Sequence, residues 1–187
     1  MGLRIGFDCD GVLRDFIPDL IDGIKTTHTE HAEKILVTES WDWDSWLPFW
    51  TNEETEQYVF EDNYLDFFGP PCSPIKSSVE DWKKIKRWAE DEGHELVLVS
   101  AQRPHCEEPT TAWLKKYGFD FKEINYTKHK WSIDVDVLVD DSPEKLDDFD
   151  KQSINGGKAG CMKQSWNRQC QKSNISIDRL SDIISLV

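Results

Sequence analysis

Apolar residues along this chain fall into two kinds of pattern, short unbroken runs and longer stretches with helical spacing. The runs at 3–10 (LRIGFDCD), 94–100 (HELVLVS) and 135–141 (VDVLVDD) read as strands buried on both faces. FDFKEINYT (119–127) is a weaker strand, and KAGCMK (158–163) a last one. Helical spacing is predicted over 12–27, and over 53–68 with Tyr58, Phe60, Tyr64, Leu65 and Phe68. A further helix opens at a Ser77–Glu80 capping box, puts Val79, Trp82, Ile85, Trp88 and Ala89 on one face, and stops at Gly93. Three more follow: one around Trp113 and Leu114 ending at Tyr117–Gly118, one opening at Ser142–Pro143, and one over IDRLSDIISLV at the end. Residues 38–50 are dense in tryptophan and acid without a period, and GPPCSP (69–74) is a breaker.

From residue 77 onward strands and helices alternate, which predicts an α/β fold with a parallel sheet and helices on both faces. Ligands of such sheets bind at the carboxyl ends of the strands. Three of the four strongest strands end there in polar groups: Asp8 and Asp10, Ser100, and Asp140 with Asp141. Four carboxylates in one crevice raise one another's pKa unless a cation joins them. Oxygen ligands on loops suit Mg²⁺, whose remaining coordination positions accept phosphate. Gly11 lets the backbone turn sharply so that N–H groups nearby can face a phosphate, and Ser100 can add a hydrogen bond.

Composition narrows the choice of ligand. The formal net charge of −14 argues against binding nucleic-acid backbones but leaves room for a small anion in a locally positive pocket. A length of 187 residues fits one domain with a small insertion. No run is long enough to cross a membrane, and no leader is expected, so a cytoplasmic setting is predicted. The five cysteines, Cys9, Cys72, Cys106, Cys161 and Cys170, form no CxxC pair and are expected to be reduced thiols.

DCDGVL (8–13), Ser100 after LVLV, Lys130, and VLVDDSP (137–143) resemble, in order and in element, the four motifs of the haloacid dehalogenase superfamily. The resemblance runs through almost the whole chain. Within that superfamily the likeness is greatest to the 5′(3′)-deoxyribonucleotidases, through DGVLRDF and the stretch from AWLKKYGFDF to TKHKWSIDVDVLVDDSP. It implies a Rossmann-like core of residues 1–14 and 76–187, and a mainly helical cap of residues 15–75 inserted after the first strand.

It also implies roles. Asp8 would be the nucleophile that forms an aspartyl-phosphate, and Asp10 the general acid and base. The Asp8 carboxylate, the Asp10 main-chain carbonyl and Asp140 would hold Mg²⁺, with Asp141 acting through water or orienting Lys130. Ser100, Lys130 and Gly11 would bind the phosphoryl group; Lys128 is a rival for Lys130, two positions off the motif spacing. Phe16, Trp43 and Arg103 are candidate substrate contacts, with Trp41, Trp46 and Trp50 as further members of an aromatic wall. The motif after Ser100 departs from the family pattern, since Ala101 stands where Ser or Thr is usual. The expected activity is Mg²⁺-dependent hydrolysis of a nucleoside monophosphate, with deoxyribonucleotides favoured. Phosphatases of another small metabolite or of polynucleotide 3′ ends, and an idle binding protein of the same fold, are the alternatives. Oligomeric state is left open.

Overall fold

In the computed structural model, residues 2–36, 42–172 and 175–187 are described, the side chains of 169–172 excepted. Six strands form one sheet: β1 (Arg4–Phe7), β2 (Glu95–Ser100), β3 (Glu123–Tyr126), β4 (Val137–Asp140), β5 (Lys158–Met162) and β6 (Ile175–Ile177). All neighbouring pairs are parallel, in the order β3-β2-β1-β4-β5-β6. The unbroken Val/Leu/Ile runs suit this, because central parallel strands have no solvent face. β1 lies between β2 and β4, the two strands that carry Ser100 and Asp140 at their carboxyl ends. The topology therefore gathers Asp8, Ser100 and Asp140 at one edge.

Helices α1 (Phe16–Thr27), α2 (Asn52–Glu56) and α3 (Tyr64–Phe68) lie in the stretch between β1 and β2, followed there by α4 (Ser78–Glu92). α5 (Pro104–Tyr117), α6 (Pro143–Gln152) and α7 (Ile183–Leu186) complete the set among the described residues. Between α2 and α3 the chain winds a π-helical turn over Gln57–Asp62. Two apolar clusters flank the sheet. One joins Phe7, Trp82, Trp113 and Phe119, the other Val99, Leu138, Phe149 and Ala159. A third, around Phe16, Leu20, Trp46, Leu47, Tyr58, Phe67 and Phe68, gathers residues of the β1–β2 stretch with Cys106 and Trp166. The chain leaves the sheet at 13–15 and returns at 73–75 in an antiparallel crossing. Arg14 bridges Pro74, Asp15 N–H donates to the Ser73 carbonyl (2.9 Å), and Ile75 N–H donates to the Leu13 carbonyl (2.8 Å).

Several expectations need correction. α1 starts at Phe16 rather than residue 12, because the N–H groups of residues 12–14 fold back on the Cys9 carbonyl. The Ser77–Glu80 box does not close; the Ser78 hydroxyl instead donates to the carbonyls of Leu13 and Ile75 (3.0 and 2.8 Å). A capping box does form at Thr51–Glu54. The final helix is shorter than expected: Ile177 ends a sixth strand, Ile175–Ile177, that covers the edge of β5, and Leu180–Asp182 forms a 3-10 turn before α7. Cys9, Cys72 and Cys106 are free thiols, but Cys161 is disulfide-bonded, so the expectation of five reduced thiols fails there. The Cys170 side chain and Trp41 lie outside the described residues.

Candidate active site

The strand ends converge on a cavity of about 280 Å³ with a polar floor and an aromatic wall. Asp8, Asp10, Ser100, Lys130, Asp140 and Asp141 make the floor, and Phe16, Trp43, Phe60 and Phe68 the wall. Ala101, Gln102, Ser142 and Lys145 complete it.

Lys130 is buried and lies 3.0 Å from Asp8 Oδ1 and 2.5 Å from Asp140 Oδ2. Lys128 is exposed, so Lys130 is the lysine the fold brings to the carboxylates. Burial alone would discharge its ammonium; Asp140 and Asp8 outweigh that and hold its pKa above the ordinary lysine value. The other oxygen of Asp140 accepts from the Ser142 backbone N–H at 2.8 Å. Asp8 keeps an unsatisfied demand. Its Oδ1 is buried without a hydrogen bond, Lys130 being close but off-angle. Burial, reinforced by Asp140 and Asp10 against the pull of Lys130, pushes its pKa up to about 6.

Asp141 is pushed up as well, first by burial and then by Asp140 and Asp8. Its Oδ2 accepts from Trp166 Nε1 (2.6 Å), and its carbonyl from Asn167 Nδ2 (2.7 Å). It therefore rests on the 164–167 segment and makes no ion pair with Lys130 at contact distance. Gly11 has φ +72°, and a Cβ there would fall 2.2 Å from Asp141 Oδ2. Its N–H donates to the Arg14 carbonyl (3.0 Å), so what Gly11 supplies here is a sharp turn and a close approach to Asp141.

Asp8, Asp140 and Asp141 each place one carboxylate oxygen within 4.8 Å of the others. Three oxygen donors at that spacing, all from buried carboxylates, fit a hard divalent cation. The fit draws Asp141 into the group of candidate ligands beside Asp8 and Asp140.

Asp10, also on the floor, has both oxygens held. Oδ1 accepts from Arg14 Nε (2.6 Å) and Oδ2 from Gln102 Nε2 (2.7 Å). Neither partner carries a signal of its own in the sequence, although Arg14 stands four residues after Asp10. Trp166, Asn167 and Lys145 were likewise without an assigned role. Phe60 and Phe68 stand out in the sequence only as helix-face residues, because no periodicity tells which face of a short helix meets a cavity.

Phe16 stacks on Phe68 at 5.5 Å, and Phe68 on Phe60 at 5.2 Å, making a ladder of three rings. Trp43 meets Phe16 edge-on at 6.3 Å. Trp46 is fully buried, and Trp50 packs against Tyr58 at 4.9 Å, so both belong to the packing behind the wall. Arg103 does not line the cavity. Its guanidinium lies over the Phe60 ring (3.9 Å) and pairs with Glu56 (3.0 Å) and Glu61 (3.5 Å).

Comparison with known proteins agrees with this geometry. Residues 2–185 match the family described as 5′ nucleotidase, deoxy (Pyrimidine), cytosolic type C protein. A protein of Oceanobacillus iheyensis, provisionally named a nucleotidase, is 26% identical over 129 residues, 64% of this chain and 65% of that protein. Another from Chlorobaculum tepidum, provisionally named a 5′(3′)-deoxyribonucleotidase, is 23% identical over 151 residues, 76% of this chain and 71% of that protein. The chain thus spans about two thirds of the length of these relatives. Among solved structures, a haloacid dehalogenase-like hydrolase from Burkholderia xenovorans superposes with TM-score 0.61 at 13% identity, over 98% of this chain and 95% of that one. A HAD-hydrolase from Bacillus subtilis, solved with bound magnesium, gives 0.61 at 13% identity over 100% and 99%. These two share the fold.

Proposed function

The chain belongs to the 5′ nucleotidase, deoxy (Pyrimidine), cytosolic type C family, and from that premise we propose that it is a phosphomonoesterase of nucleoside monophosphates, deoxyribonucleotides foremost. The observation that supports this most directly is the pairing of Asp8 with Lys130 on the floor of a cavity that also holds Asp10 and an aromatic wall. In this reading residues 15–75 are a cap over the site. The phosphate sits on the floor, and the base stacks along Phe16, Phe68 and Phe60, where each good stack is worth ~1–3 kcal/mol.

An oxygen of Asp8 attacks phosphorus. The Oδ–P bond forms as the ester P–O bond breaks, and the leaving sugar oxygen takes a proton from Asp10. Water then gives a proton to Asp10 and attacks the aspartyl-phosphate. The Oδ–P bond breaks, phosphate leaves, and Asp8 is restored. Lys130 and Ser100 stabilise the charge on the transferring phosphoryl oxygens. Asp8, Asp140 and Asp141, with the Asp10 main-chain carbonyl, would hold Mg²⁺. That cation supplies the positive charge that lets the phosphate approach the carboxylates.

The test is a substrate panel of 5′- and 3′-nucleoside monophosphates, ribo and deoxy, sugar phosphates and 3′-phosphorylated oligonucleotides, with Mg²⁺ and with chelator. Turnover of nucleoside monophosphates that needs Mg²⁺ and disappears in Asp8→Asn is expected. No turnover of any member would overturn the enzyme reading; turnover of sugar phosphates alone would remove the nucleotide.

A further inference from the structure

A fully buried arginine beside a catalytic carboxylate calls for an explanation. Arg14 is 0% exposed and absent from the cavity lining, yet its Nε donates to Asp10 Oδ1 at 2.6 Å. The rest of the guanidinium is equally committed. Nη1 donates to the Phe68 carbonyl (2.7 Å), and Thr110 Oγ1 lies 3.4 Å from Nη1 and from Nη2. Arg14 Cζ lies over the rings of Phe68 (5.1 Å to the centroid) and Trp113 (5.3 Å). A planar fork held at four places is a rigid reference point. Arg14 is also the residue that bridges Pro74, where the chain leaves and rejoins the sheet.

Asp10 is gripped from the other side by Gln102, which lines the cavity. The two partners differ chemically. Arg14 can only donate, so Oδ1 is permanently an acceptor. Gln102 carries both a donor and an acceptor in one amide, so it can pair with Oδ2 whether or not that oxygen bears a proton.

We propose that Arg14 and Gln102 are positioning residues that clamp the proton donor, fixing Asp10 so that Oδ2 is the oxygen that hands the proton to the leaving group. The proposal rests on the phosphomonoesterase reading above. It gives Arg14 a second task as well: through the Phe68 carbonyl, the orientation of Asp10 is tied to the ring on which the substrate stacks. A misplacement of about 1 Å in a reacting group can cost 100-fold in rate.

A leaving-group comparison separates this from a purely structural role. A deoxynucleoside 5′-monophosphate expels an alkoxide that needs the proton; 4-nitrophenyl phosphate expels a phenolate that does not. Arg14→Lys, Arg14→Ala and Gln102→Met are assayed with both substrates at saturating Mg²⁺, with melting temperatures measured alongside. The expected result is a loss of about 100-fold in kcat on the nucleotide. With 4-nitrophenyl phosphate, a burst near one nitrophenolate per enzyme should precede slow turnover, because phosphoryl transfer to Asp8 survives while the water step, which needs Asp10 as base, slows. Equal losses on both substrates without a burst, or wild-type kcat on the nucleotide, would overturn the proposal. Should Arg14→Ala fail to fold, Gln102→Met, at a partly exposed position, must still show the split. Wild-type protein inert to both substrates would instead count against the phosphomonoesterase reading itself.

Discussion

Asp8 is a residue whose environment works against its charge. It is buried beside two other carboxylates, its Oδ1 lacks a hydrogen bond, and Lys130 only partly offsets the cost. A carboxylate poorly solvated by its surroundings is a better nucleophile than one wrapped in donors, so the same feature that weakens the fold serves the proposed attack. Asp8→Asn keeps the shape and removes the attacking oxyanion; turnover of nucleoside monophosphates is expected to fall by about 1000-fold or more, read as kcat in the panel assay. Gly11 makes the complementary case, where the constraint is steric. Gly11→Ala would combine a positive φ with a Cβ pressed onto the Asp141 carboxylate, and should cost more than ~1 kcal/mol of stability by denaturant unfolding. Wild-type stability in that variant would mean that Asp141 can move aside. Asp8 and Asp140 are legible in the sequence because strand ends in a parallel sheet have a known meeting place, whereas Lys130, in a short turn after β3, is legible only through the family resemblance. Arg14 and Gln102 are not, because their contacts depend on how the loop of residues 8–15 folds on itself and on which way the chain turns after β2.

At the scale of elements, the segment after β5 sets the reach of the motif at the end of β4. The Asn167 side chain accepts from Gln164 N–H (2.8 Å) and donates to the carbonyls of Met162 and Asp141, each at 2.7 Å. Gln164 Nε2 donates to the Gly11 carbonyl at 2.6 Å, joining this segment to the loop that carries Asp10. Trp166→Phe keeps the packing but leaves the buried Asp141 oxygen without its donor. The expected outcome is a stability loss of ~1–3 kcal/mol and a 10–100-fold weaker Mg²⁺ affinity by titration, since partners that orient a ligand matter nearly as much as the ligand. An unchanged Mg²⁺ affinity would exclude Asp141 from the metal group. This tether shows where periodicity stops being informative. The strands and α4, α5 and α6 followed from apolar spacing, glycine stops and the Ser142–Pro143 start. The 164–172 stretch has polar residues at nearly every place, and its first part, 164–167, is held by tertiary hydrogen bonds. Ile175–Ile177 is too short to stand out as a strand, and it pairs only because β5 leaves an edge. The cysteine count could not reveal that Cys161 is oxidised, since a pairing depends on distance in space.

For the whole molecule, a net charge of −14 and a buried carboxylate trio act in the same direction, against the metal-free fold at neutral pH. The pH dependence follows from the raised pKa of Asp8. Between the unfolded value of 3.8 and about 6 in the fold, the folded state binds the extra proton. Metal-free stability therefore falls as pH rises through that window and levels off above it, a contribution on the order of 3 kcal/mol at pH 7. Asn at position 8 resembles the protonated acid and escapes the penalty. Metal-free Asp8→Asn should thus match the wild type near pH 4 and become progressively more stable than it up to about pH 6, by thermal or denaturant unfolding. A divalent cation removes the penalty by a different route, binding the ionised form. Mg²⁺ should accordingly raise the wild-type melting temperature more at pH 7.5 than at pH 5, and should raise that of Asp8→Asn much less at either pH. Equal Mg²⁺ stabilisation of the two proteins at pH 7.5 would place the cation elsewhere than against Asp8. The pattern described would make the metal the partner that turns a locally unfavourable cluster into a stable, anion-accepting floor.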